Sequence, residues 1–398
     1  MKKAISVMLA ATMVAAALTA CGSSSSSSTS TATAETGAES TAAAGEAFKI
    51  GAMGPSTGGA ALYGTAVWHG AQIAIDEINE NGGINGYQVE YQFQDDEHDA
   101  EKAINGYNAL KDWGAQMLVG ATTSTPTIAV AAETVNDRMF QITPSGTAVD
   151  CVANDNAFRL CFSDPTQGTK SAQYIAQNGL PTKVAVIYDS SDTYSTGIYE
   201  AFAAEAANQN IEIVSATAFT ADNKTDFSVQ VQDAKDKGAE LVFLPIYYTE
   251  ASLILTQADK IGYTPAFFGC DGLDGLTGVE NFDLALAEGV MLLTPFAADA
   301  QDEATQNFVK KYQDAYGEIP IQFAADAYDA VYAIKLAAEK QNITPAMSTE
   351  EICEAMIAGM QDIELTGLTG TITWSADGEP EKEPKAVVIE GGAYKAME

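Results

Sequence analysis

Gly54-Pro55-Ser56-Thr57-Gly58, within IGAMGPSTGGAALYG (50–64), has the G-x-S-x-G spacing of a hydrolase nucleophile elbow. Such an elbow seats its serine on one sharp strand-to-helix turn, so that the helix N-terminus and nearby amides can stabilise an oxyanion. Here Gly59 to Gly64 follow the motif before a helical pattern begins near Val67, so the helix arrives too late. A histidine must also take the serine proton, usually late in the chain, and the only two are His69 and His98, both early. A phosphate cradle fares no better: no Gly-Lys-Ser/Thr closes the loop, and no lysine lies between Lys49 and Lys102. What remains is a glycine-rich loop after a strand, either a structural turn or a close backbone approach to a small ligand. These residues alone leave both readings open.

Asp95-Asp96-Glu97-His98-Asp99 concentrates acids at a strand-to-helix junction, where aspartate serves as a helix cap; the stretch has no spaced partner elsewhere that would make it a metal site. Gly120-Ala121-Thr122-Thr123-Ser124-Thr125-Pro126 sits between a strand pattern and a helical one. Hydroxyls gathered at a helix N-terminus, with proline in the first turn, leave donors pointing one way, which suits a carboxylate with no arginine. Thr143-Pro144-Ser145-Gly146-Thr147 makes a second such loop, and two capped turns would account for both loops equally well. In the second half, strand ends carry Asp189 to Tyr194, Tyr247-Tyr248-Thr249-Glu250 and Gly269-Cys270-Asp271-Gly272. A carboxylate among tyrosines, facing a positive helix terminus across a cleft, is complementary to a zwitterion whose two charges both need partners when buried.

These loops must be held by regular elements. β-rich runs at 48–53, 88–95, 116–120, 139–144, 183–189, 211–219, 240–246 and 266–269 alternate with helical patterns such as Val67, Ala71, Ala74 and Ile78. That alternation predicts parallel sheets with helices on both faces. A second series begins at a new strand near Phe158–Phe162, and helical stretches at about 303–316, 323–341 and 348–360 precede strand-like GTITW and AVVIEGGAYKAM. Two α/β lobes, with the chain crossing between them more than once, accommodate late helices that belong to neither series. In open parallel sheets ligands bind beyond the carboxyl ends of the strands, so two facing sheets make one cleft.

Composition limits the partners. Met1-Lys2-Lys3 followed by apolar Ala4–Leu18 reads as a secretory signal peptide, and Leu18-Thr19-Ala20-Cys21 as a lipoprotein box with Cys21 accepting the lipid. Residues 22–47 hold no aliphatic side chain larger than alanine and no aromatic, a flexible tether reaching roughly 25–30 Å. A net charge of −34 repels nucleic acid and anionic lipid, and only Arg138 and Arg159 offer bidentate clamps. With two histidines and no C-x-x-C pair, a zinc site is not expected. Cys151 and Cys161 are the expected disulfide, although spacing alone does not fix connectivity; Cys353 falls in a helical pattern as core, and Cys270 has no near partner.

The order and spacing of IGAMGPSTGGAALYG, GINGYQVEYQFQDDEHDAEKA, the two hydroxyl loops, DSSDTYSTG and FFGCDG followed by EGVMLL resemble the extracytoplasmic substrate-binding proteins of branched-chain amino acid ABC transporters. The resemblance runs from about Phe48 to the C-terminus and implies the type I periplasmic-binding-protein fold: two Rossmann-like α/β lobes with parallel sheets joined by multiple crossover strands. It divides the chain into a signal peptide (1–20), a lipidated cysteine and tether (21–47), an N-terminal lobe (48–163 plus 296–375) and a C-terminal lobe (164–295 plus 376–398).

Position by position, Thr123 and Ser124 match the family's carboxylate donors, and Ser145 with Thr147 match the loop that holds both ends of the amino acid backbone. Tyr194 and Tyr247 match aromatics that close from the second lobe. Asp271 matches an acid that takes the ammonium group, where branched-chain members often carry glutamate. Tyr63 and Tyr328 match positions lining the side-chain pocket. The family often has a first-lobe disulfide placed differently from Cys151–Cys161. The implied protein is a monomeric, non-enzymatic lipoprotein on the outer face of the cell membrane, without cofactor, metal or nucleic acid. It would carry leucine, isoleucine or valine to an ABC permease and its ATPase subunits. The same fold could instead serve an amide, urea or aromatic acid, and the remaining alternative is a surface hydrolase using Ser56.

Overall fold

The computed structural model describes residues 46–397; the expected signal peptide, the lipid site at Cys21 and nearly all of the tether lie outside the described residues. The first sheet contains β1 (Phe48–Gly54), β2 (Val89–Asp95), β3 (Met117–Val119), β4 (Phe140–Thr143) and β5 (Ala157–Arg159), in the order β2-β1-β3-β4-β5, all parallel. The second contains β6 (Lys183–Asp189), β7 (Glu212–Phe219), β8 (Leu241–Leu244), β9 (Ala266–Gly269) and β10 (Met291–Thr294) as parallel strands. After a small hairpin of β11 (Leu365–Gly367) and β12 (Gly370–Ile372), β13 (Lys385–Glu390) and β14 (Ala393–Ala396) complete it, giving β14-β13-β10-β9-β8-β6-β7. This edge is antiparallel, a departure from the all-parallel expectation. Its cause is local: Gly391 and Gly392 both have positive φ and form a two-residue turn, a connection that only an antiparallel pair can use.

The helices connect these strands at the predicted spacing. They are α1 (Ala61–Glu80), α2 (Ala100–Trp113), α3 (Ser124–Asp137), α4 (Asp164–Gln177), α5 (Thr193–Ala206), α6 (Ser228–Asp236), α7 (Tyr248–Lys260), α8 (Glu303–Tyr316), α9 (Gln322–Lys340) and α10 (Thr349–Met360). α9 packs on α1, and α10 on β4, so the late helices cover the first sheet although they follow the second in sequence. The chain passes between the sheets after β5, after β10 and again between β12 and β13. The passing segments are tied by the buried Lys382, whose Nζ reaches Asp326 (3.3 Å), the Thr369 hydroxyl (2.8 Å) and the Leu160 carbonyl (3.2 Å).

Three expectations are corrected. Helix α1 begins at Ala61, earlier than the apolar pattern near Val67 indicated, because its first turn is buried through Tyr63 and Gly64 instead of through aliphatic residues. The strand near Phe158 ends the first series: Ala157–Arg159 pairs with β4, and the second series begins at α4. Cys151 and Cys161 are both free. The loop just before Cys151 is organised by the fully buried Arg159 guanidinium, which donates to the carbonyls of Gly146, Thr147, Ala148 and Val149. The thiols face different partners, the Ser124 carbonyl (3.7 Å) for Cys151 and the Gly146 carbonyl (3.6 Å) for Cys161.

Candidate ligand-binding cleft

The glycine-rich loop after β1 is built for close approach. A side chain at Gly54 would meet Thr122 Oγ1 at 2.0 Å, and one at Gly64 would meet the Pro55 carbonyl at 2.1 Å. Gly58 turns the loop at φ +82°. Asp95 pins the tip, accepting the amides of Ser56 (2.9 Å) and Glu97 (3.0 Å) and the Thr57 hydroxyl (2.7 Å). His98 bonds Thr123 Oγ1 through Nδ1 (2.8 Å), so its ring is engaged away from Ser56. The loop thereby delivers Tyr63 to the space between the sheets.

From the first sheet, Thr122, Thr123, Ser124 and Ser145 line a narrow cavity of about 10 Å³, closed down between the two sheets. Ser124 opens α3, where the first amides lack intrahelical partners and the helix dipole is positive. Its Oγ accepts from the amides of Thr147 (3.3 Å) and Ala148 (3.1 Å), which leaves its own proton to donate. The Ser145 hydroxyl donates to the Thr122 carbonyl (2.7 Å), so that it presents lone pairs. Thr147 is fully buried but is not in the cavity wall; it acts behind it, through the amide that holds Ser124. Arg159, which sequence reading set aside as one of only two arginines, shapes this loop by gathering its carbonyls.

From the second sheet come Tyr194, Tyr247, Asp271 and Gly272. The Tyr194 hydroxyl donates to Asp271 Oδ1 (2.7 Å) and accepts the Gly272 amide (2.9 Å), and Gln167 Oε1 accepts the Asp271 amide (3.1 Å). Burial raises the Asp271 carboxyl to about 6 against these stabilising hydrogen bonds, which leaves it largely ionised at neutral pH. Burial pushes the phenols of Tyr63, Tyr194 and Tyr247 up, keeping them neutral. It also lowers His98 to about 4, with help from Lys224, so the ring beside Thr123 is uncharged. Asp271 is thus the one charged side chain lining the cavity.

The two sides meet. Tyr63 donates its hydroxyl to the Gly272 carbonyl and accepts the Tyr248 amide (3.3 Å), while Thr249 donates to the Gly59 carbonyl (2.7 Å). Its ring lies edge-on to Tyr247 (5.4 Å) and Tyr248 (4.9 Å) and stacks on Phe323 (4.2 Å). Phe323 is the wall residue that sequence reading missed. Tyr328, expected there, lies five residues further along α9, about 140° around the helix axis. Its hydroxyl donates instead to Glu77 (2.6 Å) in a groove of the first sheet's outer helices, away from the cleft.

This architecture can be set against known proteins. A family model described as periplasmic binding protein matches residues 47–393. The chain belongs to the periplasmic binding protein family. Among curated relatives, the Leu/Ile/Val-binding protein BraC3 of Rhizobium johnstonii is 30% identical over 337 residues, covering 83% of this chain and 88% of that protein. A Leu/Ile/Val-binding protein homologue of Brucella melitensis is 29% identical, with 83% and 88% covered. Among solved structures, the branched-chain amino acid transporter substrate-binding protein LivJ of Streptococcus pneumoniae, in complex with isoleucine, superposes with a TM-score of 0.80 at 28% identity, covering 88% of this chain and 99% of that one. The two-lobed fold is therefore that of the type I periplasmic binding proteins, and membership implies an extracytoplasmic location.

Proposed function

We propose that the protein captures a branched-chain amino acid, leucine, isoleucine or valine, between its two sheets and hands it to an ABC importer. The observation that carries this reading is the opposition of Asp271, anionic and buried, to the hydroxyls and free amides at the start of α3 across one aromatic-walled cavity. A zwitterion satisfies both poles. The α-carboxylate meets Ser124, Thr123 and the helix N-terminus, and the α-ammonium meets Asp271 and the lone pairs of Ser145. An aromatic or aliphatic acid without an ammonium would leave Asp271 unpaired, which buried charges tolerate poorly. Tyr63, Phe323, Tyr194 and Tyr247 would surround the side chain, and with no lysine or arginine lining the cavity a second carboxylate has no partner. The kinship with Leu/Ile/Val-binding proteins supports the same choice.

In this reading, ligand docks on the first lobe, and contacts from Tyr194, Tyr247 and Asp271 supply the binding energy specific to the closed form that a permease and its ATPase subunits recognise. Lipid on Cys21 and the following tether hold a monomer near that permease at high effective concentration. No turnover is assigned to Ser56, whose amide serves Asp95.

A thermal-shift panel of amino acids, urea, small amides and benzoate on ligand-stripped protein tests the proposal. Leucine, isoleucine or valine at 1,000 times its dissociation constant should add about 4 kcal/mol of stability. A shift with benzoate or an amide and none with amino acids would overturn it, as would ester hydrolysis abolished by Ser56→Ala.

A further inference from the structure

A second cavity, of about 180 Å³, opens where the chain passes between the sheets. Its walls are largely apolar, from Phe296 after β10, Val309 of α8, Ile321 before α9 and Val387 of β13. Into this wall the fold sets Asp274, which is 5% exposed. Its Oδ2 accepts the Gln322 amide (2.7 Å), whereas Oδ1 is buried without any hydrogen-bond partner. The neighbouring Tyr394 hydroxyl is already committed, donating to the Leu273 carbonyl and accepting the Gly275 amide, both at 2.9 Å.

The other charged groups of the lining are Asp299, whose Oδ1 also lacks a partner, and Lys395, whose Nζ stands 3.9 Å from Asp299 Oδ2. Two carboxylates against one distant ammonium leave the cavity short of positive charge. A buried carboxylate oxygen with no donor is costly, and a cation with hydrogens to give relieves it. Burial raises the Asp274 carboxyl to about 7, so it is ionised above neutral pH, where an adjacent ammonium would favour the charged form. A hydrated metal ion is ill suited to walls of phenylalanine, valine and isoleucine, whereas an ammonium on an apolar body fits both the charge and the surface.

We infer that this cavity is a second ligand site, for a small organic amine whose ammonium bonds Asp274 Oδ1 and whose apolar body lies against Phe296, Val309, Ile321 and Val387. Asp271 lines the cleft and Asp274 the second cavity, three residues apart in one short turn. The site is independent of which ligand occupies the cleft.

Calorimetric titration of the full-length protein near pH 8 with phenethylamine, and with 2-phenylethanol as the uncharged isostere, tests this. Phenethylamine should bind, and 2-phenylethanol should bind at least about tenfold more weakly, the loss of one hydrogen bond to a charged group. Asp274→Asn should weaken the amine by a similar factor, and Val309→Trp, which fills the cavity from the α8 side, should abolish its binding. Asp271→Asn should leave it unchanged. The inference fails if the amine does not bind, if its binding survives both Asp274→Asn and Val309→Trp, or if Asp271→Asn removes it, which would assign the amine to the cleft.

Discussion

Replacing Asp271 by asparagine separates a ligand-binding role from a structural one, because the two roles predict opposite responses. Asparagine keeps the shape and can still accept the Tyr194 hydroxyl now given to Oδ1, so the turn that carries Gly272 stays held. In the free protein the ionised carboxylate is a burden: a carboxyl raised from 3.8 to about 6 by burial costs about 3 kcal/mol to keep charged at neutral pH. The ligand-free variant should therefore melt at the same temperature as the native protein or higher. Towards a bound ammonium the effect reverses, since truncating one partner of a buried charge pair costs about 2–5 kcal/mol, or a factor of about 30 to several thousand in affinity. Leucine titrated calorimetrically into stripped Asp271→Asn should bind at least about 30-fold more weakly. An affinity within about threefold of native, or a melting temperature that falls together with affinity, would refute the reasoning.

Other expectations follow from the same geometry. Leucine affinity should fall as pH drops through about 6, about tenfold per unit below it, because a proton competes with the ammonium for Asp271; a flat profile between pH 7 and 5 would contradict this. Asp96, Asp192, Asp274 and Asp326 are all raised to about 7, chiefly by burial. Since their folded values lie above the unfolded value near 3.9, the penalty for their ionisation is present above about pH 7 and is relieved as pH falls towards 4. The ligand-free melting temperature should thus be higher near pH 5.5 than near pH 8, and the opposite order would count against these assignments. Phe323→Ala removes the buried ring that stacks on Tyr63 and should destabilise the protein by about 3–5 kcal/mol in denaturant melts; an unchanged midpoint would contradict this. Gly64→Ala forces a methyl to within 2.1 Å of the Pro55 carbonyl and should destabilise the protein by about 1–3 kcal/mol in denaturant melts.

Much of the frame was legible in the sequence because its elements are strongly periodic. The run KVAVIYD became β6 with the same bounds, and the stretch expected at 303–316 became α8. What the periodicity missed are places where packing overrides it. The start of α1 is fixed by Tyr63 and Gly64 against the Pro55 carbonyl, a contact from the adjoining loop that no aliphatic spacing records. The pocket wall was assigned to Tyr328 instead of Phe323 because a tyrosine in a helical pattern gives no indication of which face meets a sheet 250 residues away in sequence and which meets Glu77. The short separation of Cys151 and Cys161 suggests a bridge, whereas in the fold both are free and each thiol faces a different carbonyl, that of Ser124 for Cys151 and of Gly146 for Cys161. The polar loops were readable as sites, since hydroxyls at a helix start and an acid among tyrosines have few other uses, but their conjunction in one cavity is a property of the fold.

The central claim is that the cleft reads both charges of an amino acid. It is tested most directly by titrating stripped protein with leucine, with 4-methylpentanoate, which lacks the ammonium, and with isopentylamine, which lacks the carboxylate. The account predicts one leucine per chain and at least about 30-fold weaker binding in the cleft for each single-charge analogue. Binding of 4-methylpentanoate as tight as that of leucine would contradict it.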